Sequence, residues 1–248
     1  MNAFEAHGID HLSPSSCNTF IASPAMFVLQ KCLKRNMPVG AAAFRGTAVE
    51  HGIALGLNGA SEADAVRAAE DNFSALAALT PDPRKEKEQD SIGDMVRVGL
   101  KELIGYGPPT AAQGSVSLDV EGLDVPLIGY FDFEWENHGI LTDLKTSHAL
   151  PSAIKINHAR QVALYREARG AKLSACVTYV TGKKSATYAL DNPAEHIAAL
   201  GKIALTIQRF LSISADPMEL ASMVIPDVDS FYFNDKSSRQ AAFEIWGI

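Results

Sequence analysis

Hydrophobic and polar positions change their period near residue 110. Before that point, small and apolar residues recur at helical spacing over 41–57, 61–79 and about 92–105. From 115 to 147 they alternate instead, in three runs rich in β-branched and aromatic residues that are separated by turns at 121–122 and 137–139. The pattern predicts a mainly helical first part followed by a three-stranded antiparallel meander.

The remaining segments complete an α/β pattern. Ser13 and Pro14 open a helix that Pro24 interrupts, and the charged segment 80–90 predicts a loop. After the meander we expect a helix from Pro151 to about Arg169, strands at 173–181 and 185–190, a helix over about 193–214, and a short helix ending near Trp246. This order predicts an α/β fold with a mixed central sheet flanked by helices.

The length and composition allow one large domain or two small ones. Of the 248 residues, 47 % are hydrophobic, which is enough for a sizeable core. We predict a single domain over 1–248, composed of a helical part (1–110), an α/β core (111–215) and a C-terminal extension (216–248). The boundary near 110 follows the Gly107-Pro108-Pro109 turn.

The sequence gives no sign of a membrane span or a secretory segment. No stretch approaches the roughly 18 apolar residues of a membrane helix, and the first ten residues lack a basic start and an apolar run. We expect a cytoplasmic protein. Cys17, Cys32 and Cys176 are odd in number and widely spaced, which favours buried free thiols over disulfides or a zinc site.

Charge is distributed unevenly along the chain. The net charge is −7, which by itself argues against a nucleic-acid partner. Residues 145–184, however, contain eight basic residues and one acid, so the rest of the chain carries −14. Such a cluster is typical of a phosphate-binding surface and equally of a solvated basic face.

The candidate catalytic residues lie at the ends of two predicted strands. Asp132 ends an apolar strand, and Asp143 and Lys145 alternate at the end of the next strand, so residues 143 and 145 share one face. If the strands pair through the 137–139 turn, the two carboxylates and the ammonium come close together. Carboxylates bind Mg²⁺, and a lysine supplies positive charge beside a phosphate and orients a water. The arrangement predicts a phosphodiesterase site, although turn aspartates and exposed lysines also occur without function.

Five ordered motifs resemble the RecB-like branch of the PD-(D/E)xK nucleases, and within it phage-type exonucleases of recombination and repair. They lie within residues 12–16, 45–51, 129–132, 143–147 and 161–165. The resemblance implies a restriction-endonuclease-like core with a helical N-terminal region. It also implies that His51, Asp132, Asp143 and the Leu144 carbonyl hold Mg²⁺ or Mn²⁺, that Lys145 serves the attacking water, and that Gln161 and Tyr165 position the strand to be cut.

The chain departs from this pattern in two places. Relatives with an iron–sulfur cluster carry three cysteines after the last strand, whereas no cysteine follows Cys176 here, so we expect no cluster. The strand before Gly129 lacks a clear acid, which leaves a second metal ion doubtful. The resemblance extends over about residues 11–190.

The favoured function is a metal-dependent exonuclease acting on linear DNA ends. A structure-specific or nicking endonuclease of the same fold is the first alternative, since the fold does not fix where DNA is cut. A catalytically silent DNA-binding module is the second. We expect backbone contacts with little sequence preference, because no dedicated base-reading motif is present. A single-strand annealing protein or recombinase and a homo-oligomer are the expected partners, and the candidate DNA contacts are Arg45, Lys155, Arg160, Lys183 and Lys184.

Overall fold

The computed structural model describes residues 2–248. A π-helical turn, Val28–Cys32, follows the third helix. The helices are α1 (Ala3–Ala6), α2 (Pro14–Ala22), α3 (Pro24–Phe27), α4 (Ala41–Leu57), α5 (Glu62–Leu76), α6 (Lys85–Asp90), α7 (Ile92–Leu103), α8 (Ile156–Ala168), α9 (Pro193–Leu211), α10 (Pro217–Ser222) and α11 (Lys236–Trp246). The strands are β1 (Ala111–Leu118), β2 (Leu127–Trp135), β3 (Ile140–Thr146), β4 (Ser174–Val180) and β5 (Ser185–Ala189).

The five strands form one mixed sheet in the order β1-β2-β3-β4-β5. β2 and β3 are antiparallel, β3 and β4 are parallel, and β4 and β5 are antiparallel. A parallel pair needs a long crossover, and α8 supplies it between β3 and β4. The predicted α/β class, with a mixed sheet and flanking helices, is confirmed.

The chain divides into two compact units. The unit that carries Asp132, Asp143 and Lys145 comprises Val39–Val116 and Tyr130–Pro193. Its core joins α4, α5 and α7 to the sheet, with buried residues that include Ile53, Val96, Phe133 and Trp135. Gly52 permits the close packing of α4, because a Cβ there would lie 2.7 Å from the Ala65 carbonyl oxygen.

The other unit comprises the chain up to Pro38, Ser117–Gly129 and Ala194–Ile248. Its core contains Met26 of α3, Leu29 of the π-helical turn, Phe233 and Ala242 of α11. The indole Nε1 of Trp246 donates a hydrogen bond to the carbonyl of Ala221 at 2.8 Å, which ties the end of α11 to α10. These contacts give the C-terminal segment a core of its own.

Local details differ from the sequence expectations in two places. The segment 80–90, predicted as a loop, contains α6, whose Glu88 is buried in an ion pair with Arg45. The helix expected from Pro151 begins at Ile156, because Lys155 is extended and its backbone N–H donates to the Tyr179 hydroxyl at 3.1 Å. The three cysteines are free and buried, as predicted. Within residues 2–248, no helix has the length and apolarity that a membrane crossing requires.

Candidate active site

The candidate site lies where β2 and β3 stop pairing. Phe133 pairs with Thr142, and Asp132 and Asp143 follow directly after this pair on the two strands. Instead of a backbone ladder bond, the Leu144 N–H donates to the Asp132 carboxylate at 2.5 Å. The hairpin therefore brings together the two aspartates that the sequence predicted to be neighbours.

Lys145 completes this group of charges. Its Nζ lies 2.6 Å from Oδ2 of Asp143, whose side chain is only 2 % exposed. Burial lowers the pKa of Lys145, but the charges of Asp143 and Asp132 outweigh burial and raise that pKa above its ordinary value. The ammonium therefore stays charged beside the carboxylates.

The two carboxylates lie in an environment that opposes their ionisation. Burial, followed by the negative charges of Asp143 and Glu50, raises the pKa of Asp132 well above its ordinary value. Burial also raises the pKa of Asp143, although Lys145 offsets part of the effect. A cation between the carboxylates would relieve this repulsion.

Helix α8 covers the same face of the sheet and brings the predicted polar pair to the site. Gln161 Nε2 donates to the Tyr165 hydroxyl at 2.5 Å, and the backbone N–H of Tyr130 lies beside that hydroxyl. Burial, and then the charge of Asp143, raises the pKa of Tyr165. The hydroxyl therefore remains protonated and able to donate a hydrogen bond.

His158 lies one turn earlier on α8, and sequence reasoning gave it no role. Its Nδ1 lies 2.8 Å from the Tyr179 hydroxyl. Burial, followed by the charges of Lys145 and Lys155, lowers the pKa of His158 to about 4. The imidazole is therefore neutral at physiological pH and adds no further positive charge near Lys145.

Helix α4 brings Glu50 to the site rather than its neighbour His51. The charge of Glu50 acts on Asp132, Asp143 and Lys145, and its Oε1 accepts a hydrogen bond from Gln113 at 2.9 Å. Within residues 2–248 we find no interaction of His51 with these groups. Neighbouring helical residues point about 100° apart, so a helix that directs Glu50 at the aspartates directs His51 elsewhere.

Arg45 lies inside the protein and not on its surface. Its guanidinium pairs with Glu88, and both side chains are about 5 % exposed or less. The same guanidinium donates to the Thr146 carbonyl at 3.3 Å and contacts His148 at 3.2 Å. This position makes Arg45 a positioning residue that fixes the end of β3, whereas the sequence suggested a phosphate contact.

Three of the other candidate DNA contacts lie at the surface of this unit. Lys155, Lys183 and Lys184 are exposed, and Arg160 is half-buried on α8. Lys183 and Lys184 line a groove of about 650 Å³ that also takes in Lys87 and His148, with Asp90 and Asp94 on its wall. The groove has a modest excess of positive charge.

The donor set suits a hard divalent cation. Oδ2 of Asp143 is buried and accepts no hydrogen bond of regular geometry, with the Lys145 ammonium as its close partner. Carboxylate oxygens are the ligands that Mg²⁺ and Mn²⁺ prefer. Within residues 2–248, no three His, Cys, Asp or Glu side chains are close enough together to enclose a metal ion. The Leu144 carbonyl remains a predicted ligand, and Asp132 and Asp143 are the residues that fit the group.

A contact that the sequence did not predict fixes α8 over the sheet. Arg169, at the C-terminal end of this helix, makes two hydrogen bonds to Glu134, at 2.6 and 2.8 Å. Glu134 lies two residues from Asp132 on β2 and its side chain is 1 % exposed. An acid within an apolar strand was the available signal, because a buried carboxylate needs a partner.

Comparison with known proteins identifies the arrangement. A family model described as the PD-(D/E)XK nuclease superfamily matches residues 11–234. The crystal structure of a "Putative exonuclease" from Eubacterium rectale aligns with a TM-score of 0.57 at 12 % identity, covering 90 % of this chain and 87 % of that one. The structure of SSO0001 aligns at 17 % identity over 66 % of this chain and 85 % of that one, with a TM-score of 0.36. No curated protein matches the sequence.

Proposed function

Because the chain belongs to the PD-(D/E)XK nuclease superfamily, we propose that it is a metal-dependent deoxyribonuclease with Asp132, Asp143 and Lys145 at its centre. The observation that carries the proposal is the convergence of these three side chains where β2 and β3 separate. We propose further that the protein belongs to the RecB-like branch and acts as an exonuclease on linear DNA ends in recombination or repair. The match of residues 11–234 supports hydrolysis of nucleic acid, and the five motifs support the branch.

Each side chain has a role that follows from its position. A divalent cation held by Asp132 and Asp143, Mg²⁺ or Mn²⁺, would polarise the phosphoryl oxygen and steady the leaving oxygen. Glu50 is the α4 side chain whose charge acts on the aspartates, where the motif suggested His51, and we propose that it adds to the negative charge that attracts the cation. Lys145 holds positive charge beside the phosphate and orients the attacking water.

The polar pair on α8 acts on the substrate strand. The Tyr165 hydroxyl accepts a hydrogen bond from the Gln161 amide, so Gln161 orients it, and it keeps its own proton to donate. A phosphate oxygen next to the scissile bond is the natural acceptor. Gln161 and Tyr165 then fix the strand relative to Lys145.

Exposed lysines supply a path for the phosphate backbone away from the cleavage point. Lys155 immediately precedes α8, and Lys183 and Lys184 face the 650 Å³ groove. Contacts of this kind give affinity without sequence preference. A homo-oligomer, and a strand-annealing protein or recombinase that receives the product strand, would suit an exonuclease of this type.

The test is digestion of end-labelled linear duplex and of closed circular DNA, with Mg²⁺, Mn²⁺ or EDTA. The variants are Lys145→Ala and, as a matched control, Lys101→Ala, an exposed lysine on α7. We expect linear DNA to be degraded only with metal, by the parent protein and Lys101→Ala but not by Lys145→Ala. The position of the label then gives the polarity.

Other outcomes have definite meanings. Nicked or linearised circles would replace the exonuclease with a structure-specific or nicking endonuclease. DNA binding without cleavage under any metal condition would leave the silent binding module. Cleavage that persists in EDTA or in Lys145→Ala would overturn the site assignment.

A further inference from the structure

Tyr130 is a large aromatic residue in an unusual position. Among the described residues of its unit it is the one exposed Phe, Tyr or Trp side chain, at 64 %. It lies within β2, two residues before Asp132. A strand residue on the catalytic side of a sheet is normally covered, as Glu134 is, so this exposure calls for an explanation.

Strand geometry places Tyr130 on the same face as the catalytic group. Beyond the Phe133–Thr142 pair, Asp132 and Tyr130 occupy alternate positions on β2, and Asp143 and Lys145 occupy alternate positions on β3. Because the strands are antiparallel and side chains alternate, Tyr130 and Lys145 both lie about 7 Å past the aspartates in the same direction. Tyr130 therefore borders the open end of the site.

The contacts of helix α8 also indicate that Tyr130 lies at the open end of the site. Its C-terminal end contacts Glu134 through Arg169, and its Tyr165 hydroxyl contacts the backbone of Tyr130. Exposure increases along this face of β2, from the buried Glu134 through the half-buried Asp132 to Tyr130. The helix thus covers the face up to the site, and Tyr165 lies beside the backbone that carries the exposed ring.

We propose that Tyr130 is a stacking platform for a nucleobase next to the scissile phosphodiester. This inference rests on the proposed nuclease function and adds a substrate contact that the carboxylates and lysines do not provide. If a phosphate lies near Lys145 and Asp143, the base of the adjoining nucleotide can reach the Tyr130 ring. A planar phenol is an apolar face with a polar edge, and every base offers a π surface to it.

Stacking explains why an aromatic residue suits this place in an enzyme without sequence preference. Base–aromatic stacking contributes affinity whichever base is present, whereas hydrogen bonds to base edges would select a sequence. Removing one such contact typically weakens binding by about 5- to 150-fold. The ring would also hold a frayed or single-stranded nucleotide in position for cleavage.

The experiment measures DNA binding by fluorescence anisotropy in a Lys145→Ala background, in which the substrate is not consumed. Tyr130→Ala and Tyr130→Phe are compared with Phe243→Ala, which removes an equally exposed aromatic ring, 65 %. The probes are a duplex with a single-stranded end and the same duplex with one abasic analogue placed in turn at each position near that end. Thermal melting of every variant checks that the fold is retained.

We expect Tyr130→Ala to weaken binding of the intact DNA by about tenfold, and Tyr130→Phe and Phe243→Ala to bind within about twofold of the parent. At one position the abasic analogue should weaken DNA binding by a similar factor in the protein that retains Tyr130. The same analogue should cause no further loss of binding in Tyr130→Ala. Equal losses for Tyr130→Ala on intact and abasic DNA at every position would overturn the stacking contact, as would no loss at all. If the protein with Lys145 intact neither binds nor cleaves DNA, both the nuclease proposal and the stacking proposal fail. If that protein cleaves DNA while Tyr130→Ala binds DNA as tightly as its parent, only the stacking proposal fails.

Discussion

Replacing Arg45 by methionine tests whether this residue acts inside the protein or on DNA. Methionine keeps much of the volume but leaves Glu88 without its guanidinium. The two side chains are 5 % and 4 % exposed, so the remaining carboxylate would be a buried charge without its main partner. Breaking such a pair from one side costs about 3–5 kcal/mol, because desolvation is no longer compensated.

The loss should be large enough to measure directly. For a chain of 248 residues, each kcal/mol shifts Tm by about 2–4 °C, so Arg45→Met should lower Tm by roughly 6–20 °C. The matched control is Arg67→Met, which breaks a surface ion pair with Asp64 whose side chains are 71 % and 56 % exposed. Exposed pairs contribute little, so its Tm should change by no more than about 4 °C.

The double variant Arg45→Met/Glu88→Leu separates folding from function. Apolar replacement of both partners removes the unpaired charge and should recover most of the lost stability. The salt dependence of DNA binding can then be measured on a folded protein. We expect its slope to match the parent, whereas Lys184→Ala should reduce the slope by about one unit. An unchanged Tm in Arg45→Met together with a reduced slope in the double variant would refute the buried role and restore Arg45 as a phosphate contact.

Two further predictions concern the fold. Gly52→Ala should destabilise the protein by about 1–3 kcal/mol in urea unfolding, because the new Cβ would lie 2.7 Å from a backbone oxygen. Gly105→Ala, with open space around the new Cβ, should not destabilise it. Equal effects of the two substitutions would contradict the packing argument. Burial raises the pKa of Cys32 from 9.0 to about 11, with Lys34 opposing, so the folded state holds its proton more tightly than the unfolded state. Stability should therefore fall by about 2–3 kcal/mol as pH rises from about 9 to 11, and the fall should be smaller in Cys32→Ala; identical pH profiles would refute it.

The features that the sequence predicted are those encoded locally. Alternation indicated the strands of the meander, helical spacing indicated α4 and α5, and Ser61 marked the start of α5, because each signal depends on residues a few positions apart. The meeting of Asp132 and Asp143 also followed from local information, since a short turn forces their strands to pair. The contact of Gln161 with Tyr165 required only the helical repeat.

The features that the sequence missed depend on residues far apart in the chain. Glu88 lies in a run of charged residues whose pattern is typical of a solvated segment. It is buried by contacts with Arg45, 43 positions away, and with His148, 60 positions away. The bond of Glu134 to Arg169 spans 35 positions. Neither partner is identifiable from spacing, because the distance between them is set by how helices dock on the sheet.

The assignment of Glu50 in place of His51 shows how a shift of one residue changes the chemistry of a motif, and it can be tested by metal binding alone. A carboxylate adds negative charge and hard oxygen, both of which favour Mg²⁺ and Mn²⁺, whereas imidazole favours softer ions. Glu50→Gln keeps an oxygen that can accept the Gln113 amide, so the fold should persist while the charge is lost. In calorimetric titration with Mn²⁺ we expect Glu50→Gln to weaken binding by about tenfold or more and His51→Gln to stay within about twofold. The reverse order would return the role to His51 and would mean that α4 rotates when the cation binds.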